Sequence, residues 1–437
     1  MRNEAIEIYQ AAVKAVQPAV LLPDYISVTE DRLRLGDQLF SLSTLRNIYV
    51  IGAGKASAAM AAVVEEIAGD YITAGMVVTK YGHARPLKKV LCREAAHPVP
   101  DENGVRSATE LMDIVSQAGK DDVIITLISG GASALLADCP PGIPLKDVQL
   151  TFQLLLQCGA DIGEMNTVRK HVSQIKGGQL ARQAYPANLV SFILSDVIGD
   201  LPEIIASGPT VPDPSTFRDA YAILEKYGLN KQVPAAVADW LKRGIDGEIP
   251  DTPKPNDPAF AGIFNYVIGT NKQALQAARH QAESSGYYTS ILTNHLNGEA
   301  REAAATFVKH VLTYAGPLPA CLLAGGETTV TLMGKGKGGR NQEFVLAALE
   351  AIQEQSLSGR NMPVILSAGT DGTDGPTDAA GAFIDSSVLV NVKQLSLLPQ
   401  AYLDNNDAYH FFKQVNGLLI TGPTQTNVMD IVVALIF

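Results

Sequence analysis

Short apolar runs alternate along this chain with stretches in which apolar residues recur every three or four positions. Uninterrupted apolar runs suit strands buried on both faces, and the three-to-four spacing suits helices packed against them. The pattern therefore predicts an α/β fold with largely parallel sheets. In the first half, Asn47–Ile51, Gly75–Thr79, Val123–Ile128 and Leu189–Leu194 read as strands. Lys55–Ala68, Leu150–Gly163 and Val172–Ala184 read as helices between them. In the second half the strand candidates are Tyr266–Ile268, Tyr288–Leu292, Ala320–Leu323, Thr328–Leu332, Val364–Ser367 and Gly417–Thr421. Helices are expected at Lys272–Ser285, Glu299–Tyr314 and Asn341–Gln355, and the charged and apolar residues of Met1–Val16 also alternate at helical spacing.

The chain has 437 residues, and domains usually run to about 100–200 residues. The clearest break in pattern is Gly244–Asp257, where Pro250, Pro253 and Pro255, with Pro258 just beyond, stand among acidic and polar residues. We therefore expect an N-terminal domain over 1–245 and a C-terminal domain over 258–437. No fixed-period repeat is visible, which excludes solenoids and propellers.

Composition narrows the class. With 46% hydrophobic residues the chain can build real cores. Its formal net charge of −11 suits no nucleic-acid partner, which needs basic surface to displace counterions. No apolar stretch approaches the roughly 18 residues of a membrane helix, and the N-terminus lacks the basic start and apolar core of a signal peptide. Cys92, Cys139, Cys158 and Cys321 form no paired or zinc-like spacing, as expected of thiols in a reducing compartment. The expected location is cytoplasmic, the expected partners are small molecules, and the expected assembly is a monomer or homodimer.

Candidate chemistry gathers where predicted strands end, which is where open parallel sheets bind ligands. Gly52-Ala53-Gly54-Lys55 leads from a strand into a helix, so free N–H groups and the Lys55 ammonium can meet an anion. As a dinucleotide fingerprint the match is partial. Ser57 takes the third glycine position, and Lys80 stands where a ribose-binding carboxylate belongs. Ser129-Gly130-Gly131-Ala132-Ser133 follows the buried run Val123–Ile128. Arg169, Lys170, His171 and Lys176 concentrate positive charge in an acidic chain, with Arg169 suited to bidentate anion binding. Asp196 follows another buried strand and is placed to hold a cation or accept a proton. Gly334–Gly339 is a basic glycine loop that suits a closing lid and ends on Arg340. Asp371, Asp374 and Asp378 supply hard oxygen ligands suited to Mg²⁺ or Ca²⁺. At each site the alternative is a tight turn, a helix cap or a solvated face. Together they offer cations to cradle phosphates and carboxylates to hold a metal and take a proton, the requirements of phosphoryl transfer. There is no G-x-S-x-G or HExxH, which counts against common hydrolases.

These segments, in this order, resemble the glycerate 2-kinase family, whose C-terminal half is called the MOFRL domain. The resemblance covers nearly the whole chain. It is carried by Ile51–Ser57, His97–Asp101, Leu127–Leu135, Ser195–Thr210, Gly325–Thr331, Gly338–Glu343 and Gly369–Ala380. It implies two α/β domains, the first Rossmann-like, with the active site in the cleft between them. It also implies ATP and Mg²⁺ as cofactors and phosphorylation of the 2-hydroxyl of D-glycerate to 2-phosphoglycerate. Lys55 and Arg340 match the family's catalytic positions, and Asp196 is our candidate base. Gly54, Lys80 and Arg169 are expected to bind substrate. Ser129, Gly130, Gly131, Ser133, Gly338 and Gly339 are expected to bind nucleotide, and Asp196, Asp371 and Asp374 the metal. Members of this family also carry the name hydroxypyruvate reductase. A reductase using NAD(P)H and a non-catalytic metabolite-binding protein are the two alternatives.

Overall fold

The computed structural model describes residues 1–355 and 361–437. They form two compact units, Leu21–Ile268 and a second made of Met1–Val20 with Gly269–Phe437.

The first unit opens with a small antiparallel sheet of β1 (Ile26–Val28), β2 (Arg32–Leu35) and β3 (Gln38–Ser41). Its main sheet holds β4 (Asn47–Ala53), β5 (Ala74–Lys80), β6 (Val90–Ala95), β7 (Asp122–Ile128), β8 (Asn188–Leu194) and β9 (Ile263–Gly269). The spatial order is β6-β5-β4-β7-β8-β9, and β6 through β8 run parallel. Every residue of β7 is buried, as a strand covered on both faces requires. The chain winds outward from β4 to β6, then returns to β7 on the other side of β4. Strands β4 and β7 are therefore a switch point, where turns leaving neighbouring strands splay open. Their register pairs Ala53 with Ile128, so the turns after both strands begin at the same level.

The second unit has a mixed sheet of β10 (Tyr288–Leu296), β11 (Ala320–Gly326), β12 (Val364–Gly369), β13 (Gly381–Ile384), β14 (Leu418–Leu419) and β15 (Asp430–Ile436). Its order is β10-β11-β15-β12-β13-β14. Only β10 and β11 pair parallel; β15 runs antiparallel to both neighbours. The helix Arg2–Ala15 belongs to this unit. It buries Ala5, Ile8, Tyr9, Ala12 and Val13, and the Tyr9 hydroxyl donates to the Gly369 carbonyl at 2.7 Å. No helix among the described residues is long and apolar enough to cross a membrane.

Several expectations need adjustment. The proline-rich stretch lies inside the first unit. Asp213 N–H donates to the Pro253 carbonyl, Thr252 donates to Asp213 at 3.0 Å and His171 meets Asp251 at 3.0 Å. Proline blocks regular structure there without freeing the chain. Thr328–Leu332 is no strand, although its alternation suits one. Thr329 forms one isolated bridge, Thr331 is held by the Glu299 carboxylate, and Leu332 is exposed. The helix expected over Leu150–Gly163 lies earlier, at Leu145–Gln157, followed by a separate helix, Ile162–His171, that starts on an Asp161 capping box. Only Gln179–Ala184 of the expected Val172–Ala184 helix is helical, because Gly177 and Gly178 take positive φ. β6, β13, β15 and the small sheet were not anticipated.

Candidate active site

At the switch point of the first unit, two glycine turns are sewn together by backbone. Gly54 has φ +129°, and a Cβ on it would fall 2.1 Å from Ser129 Oγ. Lys55 N–H donates to the Gly130 carbonyl at 2.9 Å and Ser129 N–H to the Ala53 carbonyl at 3.0 Å. Ala56 N–H donates to Ser129 Oγ at 3.0 Å. The Ser57 hydroxyl, buried, donates to the Gly54 and Val78 carbonyls, so it does work a glycine could not. Gly131 carries φ +86°, and a Cβ there would fall 2.9 Å from the His97 ring. Lys80 closes β5, the strand beside β4. The result is a rigid platform with Lys55 at its tip and the helix Ser57–Ala68 behind it, a disposition that favours an oxyanion.

A second group flanks this platform. Ala206, Ser207 and Gly208 lie consecutively at φ 53°, 59° and 63°, a run of left-handed residues that costs conformational energy. It buries the Ser207 hydroxyl 2.6 Å from Ser133 Oγ. Ser207 donates to Asn166 Oδ1 at 3.0 Å, and Arg169 donates to the same oxygen at 2.7 Å. Arg169 lies 4.8 Å over the Phe152 ring, and burial lowers its pKa. Lys176 and Lys170 are instead paired, with Asp138 at 2.7 Å and Asp213 at 3.3 Å. Asp196 follows β8 after Ser195 and is half-buried.

The second unit concentrates charge. Asp430 begins β15 and pairs in register with Gly326 on one side and Gly369 on the other. Arg340, at the start of the helix Arg340–Gln355, grips Asp430 through Nε (2.6 Å) and Nη2 (2.9 Å) and reaches Glu327 through Nη1 (2.8 Å). Burial opposes the charge on Arg340, yet Asp430, Glu327 and Asp374 raise its pKa further. Asp374 caps this helix from a distant loop. Its carboxylate accepts from Asn341 N–H at 3.1 Å, Gln342 N–H at 2.9 Å and Gln342 Nε2 at 3.0 Å. Full burial, helped by Asp430, pushes its pKa up to about 6 against the pull of those N–H groups. Asp371 is buried and its Oδ1 accepts from Thr373 N–H and hydroxyl.

The platform thus brings together Gly54, Lys55, Ser129, Gly130 and Gly131, and the serine–asparagine chain links Ser133 to Arg169. The second unit gathers Arg340 and Asp374 with Asp371 on the following loop. The lid expected at 334–339 is instead pinned. Gly336 N–H donates to the Asn405 carbonyl, and the N–H groups of Met333, Gly334, Lys335 and Lys337 reach the side chains of Asn405, Asn406 and Asp407. A Cβ on Gly339 would fall 2.3 Å from Asp374 Cγ, so close packing explains that glycine. Asp374, expected among the metal ligands, is crowded by N–H donors and caps the helix Arg340–Gln355. Asp430 draws no notice in the sequence, whereas Asn166 and Ser207 lie in segments it singles out, beside Arg169 and within Ser195–Thr210, without a role of their own. Asp430 precedes an apolar strand just as Asp122 does, and nothing local distinguishes them.

Among the described residues no cluster of three or more His, Cys, Asp or Glu forms a metal cage.

Comparison with known proteins identifies relatives along the whole chain. Residues 4–242 match the family model described as a domain of unknown function, DUF4147, and residues 320–430 match the MOFRL family. A protein of Pyrococcus horikoshii named glycerate 2-kinase is 39% identical over 100% of this chain and 97% of its own. An Agrobacterium vitis protein named putative hydroxypyruvate reductase is 43% identical over 87% of this chain and 85% of its own. The crystal structure of glycerate kinase from Thermotoga maritima superposes with a TM-score of 0.83 at 38% identity, covering 100% of this chain and 99% of that one.

Proposed function

Because the chain belongs to the glycerate 2-kinase (MOFRL) family, we propose that it transfers the γ-phosphoryl group of ATP to the 2-hydroxyl of D-glycerate, giving 2-phosphoglycerate and ADP. The observation that carries the reading is the Gly54–Lys55 turn sewn to the Ser129–Gly131 turn at the switch point of the parallel sheet. It sets the Lys55 cation at the head of a helix, without the acidic residue that dinucleotide binding asks of the second strand.

The residues divide the work as follows. Lys55 and Arg340 carry the positive charge that stabilises the transferring phosphoryl group. Lys80, on the strand beside Lys55, takes the glycerate carboxylate. Asp196 accepts the 2-hydroxyl proton as that oxygen bonds to phosphorus and the bond to the β,γ-bridging oxygen of ATP breaks. Asp371 is the carboxylate that would hold Mg²⁺, which when bound neutralises charge on the phosphates. Asp374 fixes the helix that carries Arg340, and Asp430 fixes the guanidinium plane.

The name hydroxypyruvate reductase among relatives makes the decisive test a paired one. One arm follows ADP release from ATP, Mg²⁺ and D-glycerate; the other follows loss of NADH or NADPH with hydroxypyruvate. ADP release without cofactor oxidation is the expected result. Cofactor oxidation without ADP release overturns the kinase reading.

A further inference from the structure

We propose that a pocket in the first unit takes the adenosine part of ATP, with Arg169 facing its phosphate end. The inference rests on the kinase reading above and assigns where its nucleotide goes. The pocket has a volume of about 540 Å³, within the range of small-molecule sites. Its floor is apolar, formed by Leu145, Val148 and Phe152, and Val99 and Leu156 stand at its rim 64% and 69% exposed. Large apolar side chains left open around a concave site mark a surface that a ligand covers.

Two cations line the pocket, and they differ. Lys176 is neutralised by Asp138 at 2.7 Å and donates to the Leu136 carbonyl at 2.8 Å. Arg169 lies 4.8 Å over the Phe152 ring, and its hydrogen bond goes to the neutral Asn166. A guanidinium with five donors that meets no carboxylate among the described residues, and whose pKa burial already lowers, is a site for an incoming anion. Glycerate does not suit the rest of the pocket, since it has almost no apolar surface to bury. A flat ring system joined to an anionic tail suits both parts, and ATP is the reactant that has them.

The polar groups agree with that orientation. Ser133 Oγ, in the pocket wall, lies 2.6 Å from Ser207, which itself donates to Asn166. The proton order therefore runs from Ser133 to Ser207 to Asn166, and it ties the pocket to the Ser129–Ser133 turn. Gln149, in the wall, donates Nε2 to the Pro100 carbonyl at 2.7 Å, which leaves its amide oxygen as the end that accepts. Arg169 is thereby moved from glycerate, where sequence placed it, to the nucleotide.

The test uses the full chain. Photolabelling with 8-azido-ATP is expected to mark peptides within residues 97–100 or 145–173 and to be blocked by ADP. Gln153→Trp, an exposed position in the wall with no hydrogen bond to lose, is expected to raise the KM for ATP at least about tenfold and to leave the KM for glycerate unchanged. Labels elsewhere, with an unmoved KM for ATP in an active enzyme, overturn the nucleotide placement alone. A rise confined to the glycerate KM assigns the pocket to the acceptor and also overturns it. Labelling in the pocket by a protein that releases no ADP overturns the kinase reading and leaves the placement standing.

Discussion

In the first unit the turns at Gly54 and Ser129 are joined by main-chain hydrogen bonds with the Ser129 hydroxyl between them, and the charge they offer is a single lysine on a rigid turn. In the second unit Arg340 is fixed by side chains, with Asp430, Glu327 and Asp374 around it. The difference teaches where each half is vulnerable. A backbone platform tolerates changes of charge but not of volume. A charge cluster tolerates small changes of volume but not the loss of one partner, because buried charges left unpaired are costly. The same contrast separates the sheets. The parallel sheet owes its geometry to strands near one another in sequence, whereas the mixed sheet depends on β15 arriving last to sit between β11 and β12.

The largest effect is expected from deleting residues 1–16. The lost burial of Ile8, Tyr9 and Val13 is on the order of 5 kcal/mol, all of it from the second unit. Hydrogen exchange should then rise in β11, β12 and β15 while β4 and β7 stay protected. Equal loss in both units would break the comparison. Next comes Arg340→Ala, expected to lower turnover by about 10²–10³-fold and to leave the Gly54 platform intact by the same exchange readout. Full retained turnover would remove the role given to Arg340.

Gly54→Ala should destabilise the first unit by about 3 kcal/mol, since its Cβ strikes Ser129 and its φ is left-handed. Thermal melts and loss of activity would check this, and Lys55→Ala is the matched control, lowering turnover with little change in melting.

The smaller effects concern titration and hydrogen bonding. Asp374 has a folded pKa raised to about 6 from an ordinary value of 3.8. Between those values the folded state holds a proton the unfolded state has released. Stability of the second unit therefore falls as pH rises from about 4 to 6 and levels off above, a loss on the order of 2 kcal/mol. Denaturant melts over that range should show the slope, and Asp374→Asn should flatten it. A slope of opposite sign would mean that the helix N–H groups outweigh burial. Smallest is Ser207→Ala. Breaking the Ser133–Ser207–Asn166 chain should raise the KM for ATP several-fold, equivalent to about 1 kcal/mol.

Much of this was legible in the sequence wherever chemistry is local. The turn after β4 announces itself through Gly54 and Lys55, and that after β7 through Ser129–Gly131, because a strand followed by glycine has few other uses. What stayed hidden depends on register. Asp430 matters because antiparallel pairing sets it opposite Gly326 and Gly369, and no periodicity reports which strands pair. The capping by Asp374 is not legible in sequence, because a carboxylate in a glycine turn serves a cation and a remote helix N-terminus equally well. The Gly334–Gly339 run looked mobile for a similar reason. Glycine permits motion, but here it permits close packing on Asn405–Asp407 and Asp374.

The most direct measurement is ³¹P NMR of the product formed from D-glycerate, ATP and Mg²⁺ by the full chain. The account predicts stoichiometric ADP and a phosphomonoester signal assigned to 2-phosphoglycerate. A 3-phosphoglycerate signal would contradict the assignment of Lys80 and Asp196 around the 2-hydroxyl, and no phosphorylated product at all would contradict the kinase itself.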